Sequence, residues 1–262
     1  MTPKISFRDV TRTHLVKGGV FTAVERLSLD IGEREFVTVV GPSGCGKSTL
    51  LNLAAGLDTP TSGEVVVDGR PVTGPGPDRG VIFQQYALFP WLTVRRNVEF
   101  GLRVAGVGGA ERRRRADEAI ALVGLTDFAD ALPKTLSGGM KQRCAIARAY
   151  AVDPDVLLMD EPFGALDAMT RVQLQDQLLD TWSRQTRTVV FVTHDVEEAV
   201  YLARRVVVMA ARPGRVHRVV DVDLPYPRTE QTRLSPEFAR LRNEVWSAVH
   251  HQGPPAEQQP AA

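Results

Sequence analysis

The stretch GPSGCGKST, residues 41–49, decides how this chain folds. It follows the apolar run FVTVV (36–40) and precedes LLNLAA (50–55). Buried strand, glycine-rich loop and apolar helix, in that order, are the setting of a phosphate-binding loop. Gly41, Gly44 and Gly46 let backbone N–H groups curl around an anion without Cβ atoms in the way. Pro42, Ser43 and Cys45 complete the loop, and Thr49 leads into the helix. The helix start adds the positive end of its dipole. Lys47 is long enough to reach β- and γ-phosphates, and the Ser48 hydroxyl suits Mg²⁺.

Bulk composition shows no strong bias. The chain has 262 residues, 43% hydrophobic and 24% charged, enough for one large α/β domain with an inserted or trailing part. Its formal net charge of +1 gives no general pull toward nucleic acid or anionic lipid. No apolar run approaches the roughly 18 residues of a membrane span, and MTPKISFRDV lacks the apolar core of a signal peptide. Cys45 and Cys144 are the two cysteines, without metal-ligand spacing, so a reduced cytosolic setting is expected.

Short β-rich segments are expected at 4–10, 20–31 and 35–40, then at 63–69, where an Asp-Gly turn closes the strand. A Pro/Gly-rich loop over 71–80 leads into a strand at 80–83. From about 86 to 150 the pattern is helical, with a helix at 110–123 whose face is Ala116, Ala119, Ile120 and Val123 and which Gly124 stops. Arg112 to Arg115 read as a solvated helix face, since Asp117 and Glu118 follow and adjacent positions point around the helix. Asp153-Pro154 breaks a helix over 141–151, and buried strands follow at 156–159, 188–193 and 206–209. Residues 251–262, rich in Pro, Gln and Ala, are expected to be a disordered tail.

Two further segments carry chemistry. VLLMDE (156–161) is an apolar strand ending in two acids, at the sheet edge where α/β proteins present ligands. Asp160 can hold Mg²⁺, and Glu161 can polarise a water for in-line attack on a γ-phosphate. LSGGM, Leu136, Ser137, Gly138, Gly139 and Met140, places an N-cap serine and two glycines at a helix start, a second bare anion site. One nucleotide could be shared between two such half-sites on different chains.

LSGGMKQR together with GPSGCGKST, VLLMDEP and VTHD resembles the nucleotide-binding subunit of an ABC transporter, over about residues 4 to 250. The resemblance implies a P-loop NTPase core, a mixed sheet flanked by helices, with an N-terminal antiparallel β subdomain and an inserted α-helical signature subdomain over about 86–150. It implies ATP and Mg²⁺ as ligands and a head-to-tail dimer, with a second copy of the chain or a homologous ATPase subunit. Ser137 and Gly139 would then touch the partner's γ-phosphate, and Met140 stands where that family usually has Gln. Gln84 matches the glutamine that senses Mg²⁺ and water, so the metal set is Ser48, Gln84 and Asp160. His194, ending the strand in VTHD, would bond the γ-phosphate, while Asp195 and Glu198 form a capping box behind it. Asp167 in ALD would signal across the dimer. For the adenine, His14 falls nearest the stacking position and Phe21 is the rival. The aromatics of YALFPWL (86–92) suit docking onto a transmembrane permease.

GPGPDRGVIFQQYALFPWLTVRRNVEFGL, DLPYPRT and SPEFARLRNEVW resemble the nitrate/sulfonate/taurine importer branch. The implied work is ATP hydrolysis driving uptake of a small solute at the cytoplasmic face of the membrane, with an extracytoplasmic solute-binding protein as an indirect partner and no nucleic acid. Fifty residues follow Arg212, and no regulatory domain is expected among them. The alternative, a non-transport ABC ATPase that remodels nucleic acid or ribosomes, would need coiled-coil insertions or a second cassette, and this chain has neither.

Overall fold

All five residues of the strand Phe36–Val40 are buried, which puts the residue run before the glycine loop at the centre of its core. The computed structural model describes residues 2–17, 19–185 and 187–251; the tail expected to be disordered lies outside them after His251. The chain divides into two units, Met1–Thr73 with Val192–Ala262, and Gly74–Phe191.

The first unit begins with strands β1 (Ile5–Val16), β2 (Gly19–Ile31) and β3 (Phe36–Val40), helix α1 (Lys47–Ala55), and strands β4 (Ser62–Val67) and β5 (Arg70–Pro71). An antiparallel sheet runs β2-β1-β4-β5. Asp68 and Gly69 both have positive φ, 50° and 71°, which is why Asp-Gly closes the β4–β5 hairpin. β1 continues to Val16 rather than ending near residue 10, because pairing with β2 satisfies its backbone as far as Val16↔Gly19.

The second unit holds strand β6 (Arg79–Ile82), helices α2 (Val94–Val104), α3 (Gly109–Leu122) and α4 (Gly138–Val152), strand β7 (Val156–Asp160), helix α5 (Ala168–Gln185) and strand β8 (Thr188–Val192). β8, β7 and β6 are neighbours in that order, β6 and β7 parallel. α3 buries Ala116, Ala119 and Ile120, the face its periodicity predicts. Its arginines are surface ion pairs: Arg114 binds Glu111 at 2.7 Å and Glu118 at 2.6 Å, and Arg115 binds Glu111 at 2.7 Å. α4 begins at Gly138, three residues before the expected start, since the Ser137 hydroxyl accepts the Met140 N–H and caps it there. Asp153 ends it in the left-handed region, φ 57°, just before Pro154.

The chain returns to the first unit with helix α6 (Val196–Leu202), strands β9 (Arg205–Ala210) and β10 (Arg215–Asp221), and helices α7 (Glu230–Leu234) and α8 (Pro236–His250). β9 pairs parallel with β3 and antiparallel with β10, so the sheet is mixed. α6 packs on β3, and α8 packs on α6 and β9. The fold is α/β, with a mixed sheet, flanking helices and an antiparallel sheet.

Candidate functional site

The glycine loop lies between β3 and α1, as the sequence predicts. A Cβ on Gly46 would meet Val24 Cγ1 at 2.6 Å and Ala23 O at 2.9 Å, and the residue has φ 90°, so only glycine fits. A Cβ on Gly41 would strike Met209 O at 2.6 Å and Cys45 Sγ at 2.8 Å. Lys47, buried, turns its ammonium onto the loop itself, donating to Gly41 O at 2.8 Å and Pro42 O at 3.1 Å. α1 has no side-chain N-cap, which leaves its first-turn N–H groups to the loop's concave side. Ser48 and Thr49 are in its first turn, and Ser43 and Gly44 are the exposed crest of the loop.

Cys45 lies within the glycine loop and is fully buried. Burial pushes its thiol pKa up, the Lys47 ammonium opposing this in part, so it is both inaccessible and short of reactive thiolate.

In the same unit, His14 and Phe21 are direct partners in the β1–β2 register. Cross-strand partners share a face, so the two rivals for adenine stacking form one surface, with Phe21 47% exposed. His194 is exposed just after β8, and the Thr193 N–H donates to Val39 O at 3.2 Å. Asp195 caps α6 by accepting the Glu197 and Glu198 N–H groups at 2.9 and 3.2 Å. The Glu198 carboxylate accepts the Thr193 hydroxyl, which itself accepts the Asp195 N–H at 3.0 Å.

In the second unit, Asp160 is the last residue of β7 and Glu161 the first beyond it. Gln84 Nε2 donates to Glu161 Oε2 at 3.4 Å, which brings the expected water-polarising acid and the sensing glutamine together. Glu161 has φ 46°, a left-handed conformation that costs a non-glycine residue about 1–2 kcal/mol. Leu136 is buried and Ser137 exposed; a Cβ on Gly139 would sit 3.2 Å from Leu166 Cδ2, so the signature glycine adjoins the segment that carries Asp167. The Asp167 carboxylate accepts the Thr170 N–H at 2.9 Å, capping α5, and this bond lowers its pKa.

The aromatic run 86–92 splits. Tyr86 is half-buried, its hydroxyl 3.0 Å from where a Gly138 Cβ would lie, so it supports the signature helix rather than a docking face. Trp91 is 72% exposed, and the Phe89 ring makes tilted contacts with Trp91 (5.8 Å) and Phe100 (4.4 Å). Beside them a cavity of about 730 Å³ is lined by Phe100 and five arginines together with the acids Glu99 and Asp130, which pair with Arg112 and Arg95. Among the described residues no helix is long and apolar enough to cross a membrane, and no three His, Cys, Asp or Glu side chains gather as a metal cluster. Sequence reasoning passed over Arg228 and Tyr226: their segment DLPYPRT drew notice only as a mark of the importer branch, although both side chains reach back to α6.

The sequence model of the ABC transporter family matches residues 24–164, a span that includes the loop, the signature and Glu161. The chain belongs to the ABC transporter ATPase family. Nitrate import ATP-binding protein NrtD of Synechocystis sp. is 49% identical over 251 residues, 94% of each chain. Taurine import ATP-binding protein TauB of Mesorhizobium japonicum is 52% identical over 232 residues, 87% of this chain and 90% of that one. A solved dimeric ATP-binding cassette, MJ0796 in a post-hydrolysis state bound to ADP and Pi, has a TM-score of 0.78 at 37% identity, over 84% of this chain and all of its own. As an ABC ATPase the chain binds ATP, and the phosphate loop built around Gly46 and Lys47 fits that ligand.

Proposed function

We propose that this chain is the ATP-hydrolysing subunit of an importer for a small solute such as nitrate, taurine or an aliphatic sulfonate, and that it works as a head-to-tail dimer beneath a separate permease. The observation that carries the reading is the glycine loop, which closes on Ala23 and Val24 so tightly that no Cβ fits at Gly46. Such a loop offers N–H groups and one ammonium to a polyphosphate and little else. The names of the nitrate and taurine import relatives support the solute class.

Residues 41–49 bind the phosphates, Lys47 exchanging its loop carbonyls for phosphate oxygens. Ser48, Gln84 and Asp160 supply oxygen donors, the kind Mg²⁺ takes. When bound, that ion neutralises phosphate charge. Glu161 accepts a proton from the attacking water, with Gln84 orienting it, and His194 donates to the γ-phosphate. Residues 136–140 serve the partner's nucleotide, and Asp167 reports across the dimer. His14 and Phe21 form the adenine platform. Trp91 and Phe89 anchor the permease.

The test is uptake in a strain lacking this chain, complemented with wild type or Lys47→Ala, offering nitrate, taurine and alkanesulfonates separately. Restoration of uptake of one solute by wild type alone is expected. Equal uptake by Lys47→Ala would rule out the ATP-driven role, and restoration of none of them would rule out the solute class.

A further inference from the structure

The last turn of a helix leaves its carbonyl groups without intrahelical partners, and in α6 the C-terminal segment supplies them. Arg228 is 6% exposed. Its guanidinium donates to Val200 O (2.9 Å), Tyr201 O (2.6 Å), Ala203 O (2.7 Å) and Leu224 O (3.4 Å). The Tyr226 hydroxyl takes the remaining Leu202 O at 2.9 Å, and the Tyr201 hydroxyl returns a bond to Arg228 O at 3.2 Å. A planar cation with fixed donor directions suits several convergent carbonyls, and its charge opposes the helix dipole. Burial lowers its pKa to about 10, so it stays charged at neutral pH.

The other end of α6 carries the site. His194 lies between Thr193 and Asp195, and both neighbours are tied to the first turn of α6 through Glu198 and the Asp195 cap. Arg242 of α8 holds that turn from outside, pairing with Glu197 at 2.9 Å. α6 is only seven residues long and fully buried from Ala199 to Leu202, so a shift at its C-terminus moves its N-terminus with it. Thr38 Oγ1 donates to Ala199 O at 3.3 Å, the contact of the helix middle with β3.

We propose that Arg228 and Tyr226 are positioning residues for His194: the segment Leu224–Arg228 sets the placement of α6, and α6 sets the imidazole. The inference rests on the reading of His194 as the γ-phosphate contact. A segment that merely stabilised the fold would alter melting but leave turnover per folded molecule intact. A positioning segment alters kcat at unchanged ATP affinity, and only while the imidazole is present.

Full-length chains carrying Tyr226→Phe, Arg228→Lys, His194→Ala and His194→Ala with Tyr226→Phe are compared for kcat, KM for ATP and melting temperature. Tyr226→Phe removes one hydroxyl and keeps the test alive if Arg228→Lys folds poorly. Each single segment variant is expected to lower kcat about three- to tenfold with KM within about twofold. In the His194→Ala background Tyr226→Phe is expected to cost nothing further. An equal fold-loss in both backgrounds, or unchanged kcat in a folded Tyr226→Phe chain, overturns the positioning role alone. Wild-type turnover by His194→Ala overturns the assignment of His194 first, and the positioning role with it.

Discussion

Gln84 and Glu161 meet side chain to side chain, amide nitrogen to carboxylate oxygen at 3.4 Å, although 77 positions separate them. The contact ties the carboxylate of the expected general base to the glutamine expected to orient its water. Glu161→Gln removes the basic oxygen while keeping shape. Its hydrolysis rate is expected to fall at least about a hundredfold with ATP affinity within about twofold. Single-turnover hydrolysis and equilibrium nucleotide binding measure the two, and a rate near wild type would sink the assignment.

Glu161 also holds a left-handed backbone, φ 46°, and glycine adopts that conformation without the Cβ penalty. Glu161→Gly should therefore melt no lower than wild type while losing turnover, since relief of about 1 kcal/mol offsets the entropy that glycine adds to the unfolded chain. Calorimetry decides it: a drop of several degrees would mean that the carboxylate, not the strain, dominates stability here.

Gly46→Ala drives a methyl into Val24 Cγ1 and Ala23 O at a positive φ. A loss of about 1–3 kcal/mol is expected, with ATP binding abolished. Gly44→Ala, with positive φ but open space around it, should cost less. Denaturant titration of the two variants gives the comparison; equal losses would show that the tight approach at Gly46 does not matter.

Burial holds the Cys144 thiol pKa up to about 12, and Cys45 is raised for the same cause. As pH rises, the unfolded chain releases these protons first, near the ordinary thiol value of about 8.5. The folded state then binds more protons, so the thiols' contribution is intact below that pH and is lost up to the folded value. Cys144→Ala should flatten the fall in melting temperature between about pH 9 and 11. Parallel curves for wild type and variant would contradict this.

Trp91 is exposed and makes its ring contact at the rim, with Phe89. Trp91→Ala should change stability by no more than about 0.5 kcal/mol and leave ATP binding alone, yet abolish co-purification with the permease. Retention of the complex would move the docking face elsewhere.

The glycine loop was legible because its spacing encodes backbone conformation directly, and the helix face of α3 because periodicity reports burial. The burial of Cys45 was not, since the loop packs against distant residues: Met209 O, 168 positions on, would lie 2.6 Å from a Gly41 Cβ, and Gly214 approaches the Cys45 carbonyl as closely. The choice between His14 and Phe21 had no sequence answer either. Hairpin register makes them partners, and register depends on the turn and on bulges in β1. The role of Arg228 was not legible, because its acceptors are backbone carbonyls, which any sequence provides. The signature helix started early because a single cap, Ser137, outranks the glycines' poor helix propensity.

The bonds from Lys47 Nζ to Gly41 O and Pro42 O make the lysine a tethered competitor for its own loop. If the loop holds the phosphates as proposed, nucleotide affinity is a difference, the bonds made to phosphate less the bonds surrendered by the carbonyls. The loop's shape is held by its own cation ahead of any encounter. On the proposed reading, an incoming phosphate would compete with Gly41 O and Pro42 O for one ammonium.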